Sequence, residues 1–173
     1  MTGSYPQLPT VVVVMGVAGS GKSTLARALA ERLEVTFLEG DDLHSAANVA
    51  KMRNGAPLVD ADRWPWLSAI ADWIDAQASA RKSAVVACSA LKQSYRQLLA
   101  QNRPFVRFVH VAGPLDLVAE RMSSRRNHYF PVSLIASQFE ALEPPGVEER
   151  AIVVDMAAPV VSQVNEVLAA LEI

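Results

Sequence analysis

The sequence holds a single cysteine, Cys88, among 173 residues, so no internal disulfide can form. A solitary thiol fits a reducing compartment. Charge of one sign is missing as well: 16 Lys and Arg stand against 18 Asp and Glu, for a formal charge of −2. Without a basic block, nothing would displace counterions from a phosphate backbone, which excludes nucleic acid as the main partner. A small anionic ligand needs only a few converging cations and stays open. Apolar runs such as Val11 to Met15 fall far short of the roughly 18 residues that cross a membrane. No Lys or Arg precedes Lys22 to form the basic region of a signal peptide. The expectation is one cytoplasmic domain with no membrane segment. At this length a folded chain buries roughly 70% of its unfolded surface, enough for a core without structural metal.

What is present alternates. Residues 1–10, with Pro6 and Pro9, read as a flexible leader. Val11 to Met15 is a β-branched apolar run of the kind buried on both faces of a sheet. Ser23 to Leu33 carries Leu25, Leu29 and Leu33 at helical spacing, and Val35 to Leu38 is a second strand. The stretch from Ala46 to Ala61 is mixed and broken by Gly55 and Pro57. Trp66, Leu67, Ile70, Trp73 and Ile74 mark a buried helix face, and all three tryptophans, Trp64 included, read mainly as core. Strands follow at Ser83 to Cys88, Phe105 to Val111 and Ala151 to Val154. Helices are predicted at Leu91 to Ala100, Pro114 to Met122, Leu134 to Leu142, and from Val160 to Leu171. Alternation of this kind predicts an α/β fold: a three-layer parallel sheet of about five strands with helices on both faces. Ligands bind such sheets at the carboxyl ends of the strands.

Gly16-Val-Ala-Gly-Ser-Gly-Lys22-Ser23 fits G-x-x-x-x-G-K-[ST] between a buried strand and an amphipathic helix, the pattern of a P-loop. By chance it would occur in about one such sequence in a thousand. Gly16, Gly19 and Gly21 let successive N–H groups turn inward as an anion nest at a helix start. The nucleotide-binding set is therefore Gly16, Gly19, Ser20, Gly21, Lys22, Ser23 and Thr24, with ATP as cosubstrate. Lys22 reaches the β and γ phosphates, and the Ser23 hydroxyl is the candidate ligand for Mg²⁺. The chain has no N-K-x-D, no L-S-G-G-Q, and no apolar strand ending in the acidic residue of a usual Walker B. Strand three runs instead into Cys88-Ser89-Ala90-Leu91-Lys92.

Further blocks resemble the gluconate kinase family. They are Gly40-Asp41-Asp42-Leu43-His44, Asn48, Lys51-Met52, Gly55, Pro57-Leu58, Asp60-Ala61-Asp62-Arg63, Pro65-Trp66-Leu67, Cys88 to Lys92, Tyr95-Arg96, Ser137-Gln138-Phe139 and Leu142-Glu143-Pro144-Pro145. Together with the P-loop they span the chain from Val11 to Pro145. The resemblance implies a P-loop kinase fold like that of nucleoside and shikimate kinases, with a mobile lid. It implies transfer of phosphate from ATP to the 6-hydroxyl of D-gluconate in a cytosolic and usually dimeric enzyme. One departure is Asn127, where glycine is expected before His128 and an aromatic residue.

Roles follow for single residues. Asp41, just past the second strand, can orient the acceptor hydroxyl and take its proton, or it can cap a turn. Asp42 reads as a solvated or capping carboxylate. A sugar acid carries one carboxylate, and Arg63, Lys92 and Arg96 are the candidate cations for it; exposed helix-start cations are the alternative. His44 is either a neutral partner for substrate hydroxyls or structural. Arg121 and Arg125, four apart, share a helix face with Arg126 alongside. In related kinases a lid arginine lies against adenine, the place that Arg121 fits, while Arg125 would meet the transferring phosphate as residues 123–132 close. Two other readings remain: a kinase for shikimate or a nucleoside, and a non-catalytic ATP-binding switch.

Overall fold

A computed structural model of the chain describes residues 9–124 and 132–173. Five strands form one sheet: β1 (Val11–Met15), β2 (Thr36–Glu39), β3 (Ala84–Ala87), β4 (Val106–Ala112) and β5 (Ile152–Asp155). All pairings are parallel and the order is β2-β3-β1-β4-β5. Among the described residues seven helices accompany them: α1 (Lys22–Leu33), α2 (Ala46–Arg53), α3 (Asp60–Ser79), α4 (Gln93–Ala100), α5 (Leu115–Ser123), α6 (Val132–Ala141) and α7 (Val160–Leu171). The expected α/β architecture is what the chain adopts, with strand ends within two residues of the predicted ones.

The central strand explains the layering. Every residue of β1 is buried, and its side chains alternate between two cores. Val12 and Val14 meet Leu25 and Leu29 of α1 and Val164, Val167 and Leu168 of α7. Val11, Val13 and Met15 meet Trp66, Leu67, Ile70 and Ile74 of α3 and Tyr95 and Leu99 of α4. Removing one such side chain, as in Leu29→Ala, costs about 2–5 kcal/mol in a core of this kind.

From β1 the chain leaves towards β2 and β3 on one side, and returns past β1 to reach β4 on the other. The strand order thus reverses beside β1, and a crevice opens at the carboxyl ends there. Three connections enter it: the glycine loop after β1, a 3-10 turn at Gly40–Leu43 after β2, and the Cys88-to-Lys92 turn after β3.

Some expectations change. Thr10 is tied to the sheet, its N–H donating to Ser83 Oγ at 3.1 Å and its carbonyl accepting Ala84 N–H at 3.1 Å, so it is not loose; residues 1–8 of the expected leader lie outside the described residues. The mixed segment after Ala46 holds α2, which buries only Asn48 and so leaves no apolar stripe to read. Trp64 is 36% exposed and is not core, whereas Trp66 is buried and Trp73 packs against the core edge. Most of the expected lid, with Arg125, Arg126 and Asn127, lies outside the described residues. Among the described residues no helix is long and apolar enough to cross a membrane.

Candidate active site

The crevice holds a cavity of about 540 Å³, and its wall joins the two halves of the sequence reading. Gly19, Gly21, Lys22, Ser23 and Thr24 line one side; Asp41, His44, Arg63 and Ser89 line the other.

The nucleotide side is built mostly from backbone. Gly21 caps α1 at φ 93°, the left-handed region, with open space where a Cβ would stand, so its need for glycine is conformational. At Gly16, with φ 150°, a Cβ would stand 2.9 Å from the Val111 carbonyl, so the neighbouring strand also forbids it. Gly16 N–H donates to the Ser89 carbonyl at 3.2 Å, strapping the loop to the β3 turn. Lys22 opens α1 and is buried except for its approach to the cavity. Ser20 packs beneath, its Oγ buried without a hydrogen-bond partner among the described residues.

Glu39, the last residue of β2, went unnoticed in the sequence. Burial pushes its carboxyl above the usual range, with Asp41 adding to the rise; the Ser23 hydroxyl, Lys22 and Arg27 pull the other way. Its Oε1 is buried with no hydrogen-bond partner among the described residues. A magnesium ion bound through phosphates takes only one or two protein carboxylates. Ser23, Glu39 and Asp41 supply oxygen alone, the donor set of a hard cation, and the orphaned Glu39 oxygen fits that use. The available signal was position: Glu39 ends a strand at the ligand edge, directly before the Gly40-Asp41 block.

On the acceptor side, Asp41 lies in the 3-10 turn with its side chain 60% exposed to the cavity mouth. Trp66 holds this turn from below, Nε1 donating to the Gly40 carbonyl at 2.8 Å. The His44 ring stacks on Trp66, centroids 4.1 Å apart and planes 17° from parallel. Asn48 Nδ2 donates to the Asp62 carbonyl at 2.9 Å and faces His44 Nδ1 at 3.3 Å. The carbonyl fixes the amide orientation, so Nδ1 accepts and Nε2 carries the proton. Burial lowers the imidazole pKa below its ordinary 6.5; Asp41 opposes this, and Arg63 adds to it. His44 is therefore a neutral donor whose Nε2 stands 3.8 Å from Asp41 Oδ1.

The three candidate cations separate here. Arg63, in the first turns of α3, lines the cavity, and none of the hydrogen bonds or ion pairs among the described residues uses its guanidinium. Lys92 is not on the wall: its ammonium bonds Asp60 Oδ1 at 2.9 Å. The Tyr95 hydroxyl donates to the same oxygen, and the two bonds hold the Asp60 carboxyl below its ordinary range. Arg96 is a correction. It is 1% exposed, bonds both Glu149 carboxylate oxygens at 2.6 and 3.0 Å, and donates to the Ala90 and Leu91 carbonyls at 3.0 Å. A guanidinium so occupied has nothing left for substrate; its work is to hold the β3 turn, where Ala90 sits at φ 42°.

Arg121 is half-buried on α5, outside the cavity wall, its guanidinium donating to the Met156 carbonyl at 2.7 Å. Burial pushes the Cys88 thiol up to about 12, so it is no nucleophile.

A family model described as an AAA domain matches residues 11–145. The chain is 48% identical over 144 residues to a gluconokinase of Gluconobacter oxydans, covering 83% of this chain and 81% of that one. It is 41% identical over 150 residues to the thermoresistant gluconokinase of Escherichia coli, covering 86% of each. The chain belongs to the gluconokinase family. The crystal structure of a gluconokinase from Sinorhizobium meliloti superposes with a TM-score of 0.85 at 46% identity, over 95% of this chain and 93% of that one. A shikimate kinase from Aquifex aeolicus, at 19% identity and a TM-score of 0.62, shares the fold alone. In this member the glycine loop, Asp41 and Arg63 line one cavity.

Proposed function

We propose that the protein transfers the γ-phosphoryl group of ATP to the 6-hydroxyl of D-gluconate, giving 6-phospho-D-gluconate and ADP. The observation that carries this is the cavity itself, whose wall includes Lys22 for phosphate, Asp41 for a hydroxyl and Arg63 for a carboxylate. A nucleotide switch has no use for the last two.

In this reading the loop N–H groups and Lys22 hold the β and γ phosphates, and Arg121 lies against adenine. Arg63 pairs with the gluconate carboxylate, a charge-assisted contact that orients the chain of hydroxyls. His44 Nε2–H donates to a substrate oxygen, while Lys92 acts from behind through Asp60 and Tyr95. Asp41 accepts the proton of the 6-hydroxyl as that oxygen bonds to phosphorus. The bond from phosphorus to ADP breaks, leaving its charge on the β-phosphate. Ser23 and Glu39, with Asp41, would hold Mg²⁺, which when bound neutralises charge on the transferring phosphates. Arg125 and residues 123–132 close over the nucleotide. The enzyme works as a cytoplasmic homodimer.

ADP release from MgATP tests the reading, measured without acceptor and with gluconate, other aldonic acids, glucose, shikimate and nucleosides. Stimulation by gluconate above all others is expected. Stimulation by a different acceptor would overturn the pocket assignment, and nucleotide binding with no transfer would overturn the kinase.

A further inference from the structure

Helix α6 follows directly on the undescribed stretch, and the segment after it is tied to the β3 turn, Glu143 N–H donating to the Leu91 carbonyl at 2.9 Å. Midway along α6 stands Gln138, on the cavity wall with Ala18, Lys22 and Asp41. Its Oε1 accepts the Ala18 N–H at 2.5 Å, a contact between residues 120 positions apart in sequence. Ala18 belongs to the phosphate loop, so the side chain is anchored where the phosphates bind.

That anchor settles which way the amide points. A backbone N–H only donates, so the atom it faces must be the carbonyl oxygen, and Nε2 with its two N–H groups is turned away from the loop backbone. None of the hydrogen bonds among the described residues uses Nε2. A half-buried amide with unused donors, fixed at its other end, lies in a cavity meant for an oxygen-rich anion. Donors held in place before the reaction stabilise charge developing on a phosphoryl group without reorganising during it.

We propose that Gln138 acts in the transfer step: anchored through Oε1 to Ala18, it presents Nε2–H to an oxygen of the γ-phosphoryl group as that group passes from ADP to the acceptor. This rests on the kinase reading above. It adds a neutral donor to the cationic Lys22, and it links the helix after the lid stretch to the phosphate loop.

Two substitutions separate this role from a purely structural clip. Gln138→Glu keeps an oxygen for the Ala18 N–H but lacks the Nε2 donor and faces phosphate with a carboxylate. Gln138→Met keeps similar length and loses both. Steady-state kinetics at saturating MgATP with varied gluconate should show kcat lower by about 10²-fold in Q138M and lower still in Q138E, with KM for gluconate within about threefold. Relative to wild type, Q138E should recover activity as pH falls and its carboxyl gains a proton, and with it a donor. A structural clip predicts the opposite order, since Q138E preserves the bond to Ala18. The proposal is overturned if Q138E matches or exceeds Q138M, or if either variant changes only KM for gluconate. Should Q138M fail to fold by circular dichroism, Q138E against wild type decides alone, and wild-type kcat there would overturn the proposal. Wild-type protein without gluconate-dependent ADP release would instead overturn the kinase reading on which it rests.

Discussion

The two sides of the cavity present groups suited to anions by different means. On the phosphate-loop side those groups are mostly main-chain N–H, arranged by the contiguous loop from Gly16 to Gly21 between β1 and α1. On the acceptor side they are side chains from three separate segments, and each depends on what else stands near it. Arg63 and Arg96 show the consequence. Both belong to blocks that resemble gluconate kinases, and one faces the cavity while the other is consumed by Glu149 and two carbonyls. A contiguous motif carries its own geometry; a cation's role is decided by its partners.

Several substitutions would break or sharpen that contrast. Lys22→Ala and Asp41→Asn bear on the reacting groups themselves and should lower kcat the most. Losses of about 10³-fold for Lys22→Ala and about 10²–10⁴-fold for Asp41→Asn are expected, with circular dichroism unchanged. Unaltered kcat in either would remove that residue from the transfer step.

Next come the two arginines, which should fail in different assays. Arg96→Ala leaves the Glu149 carboxylate half-buried without its partner and frees two carbonyls, so unfolding free energy should drop by about 3–5 kcal/mol. Its KM for gluconate at low temperature should stay near wild type. Arg63→Ala should do the reverse, raising KM for gluconate about 10–10²-fold while melting close to wild type. Urea titrations and initial rates on both variants check this, and a shared phenotype would dissolve the distinction.

Smaller again is the effect at Glu39. Glu39→Gln should raise the Mg²⁺ concentration for half-maximal rate about 10-fold, with less effect on KM for gluconate. An unchanged Mg²⁺ requirement would return Glu39 to a structural role.

The mildest expectation concerns pH. Burial lowers His44 and His110 below the ordinary 6.5, Arg96 adding to the effect at His110. An unfolded chain takes up those protons near pH 6.5 while the folded one resists until lower pH. Their contribution is complete above pH 6.5 and declines below it, so urea midpoints should fall between pH 7.5 and 5.5. The slope should be shallower in His110→Asn.

Legibility in the sequence follows the same division. The strands could be read because β1 and β3 are buried on both faces and so consist of unbroken apolar runs. The phosphate loop could be read because its glycines, lysine and serine are adjacent. Helix α2 could not, since its inward residue is the polar Asn48, held by the Asp62 carbonyl rather than by packing. Glu39 was not singled out, and Gln138 stood only in a resembling block with no role assigned, for a related reason. Each takes its meaning from a neighbour far along the chain, Ser23 for one and Ala18 for the other. The occupation of Arg96, and the pairing of Lys92 off the wall, could not be read because Glu149 and Asp60, their partners, lie 53 and 32 residues away.

Acceptor discrimination tests the account most directly: kcat/KM for gluconate against glucose, in wild type and in Arg63→Ala. Leaving a carboxylate-binding arginine unpaired beside neutral glucose costs about 3 kcal/mol or more, so wild type should prefer gluconate by at least about 10²-fold. In Arg63→Ala the preference should shrink to about 10-fold or less. Glucose used as well as gluconate by the wild type, or a preference untouched by Arg63→Ala, would contradict it.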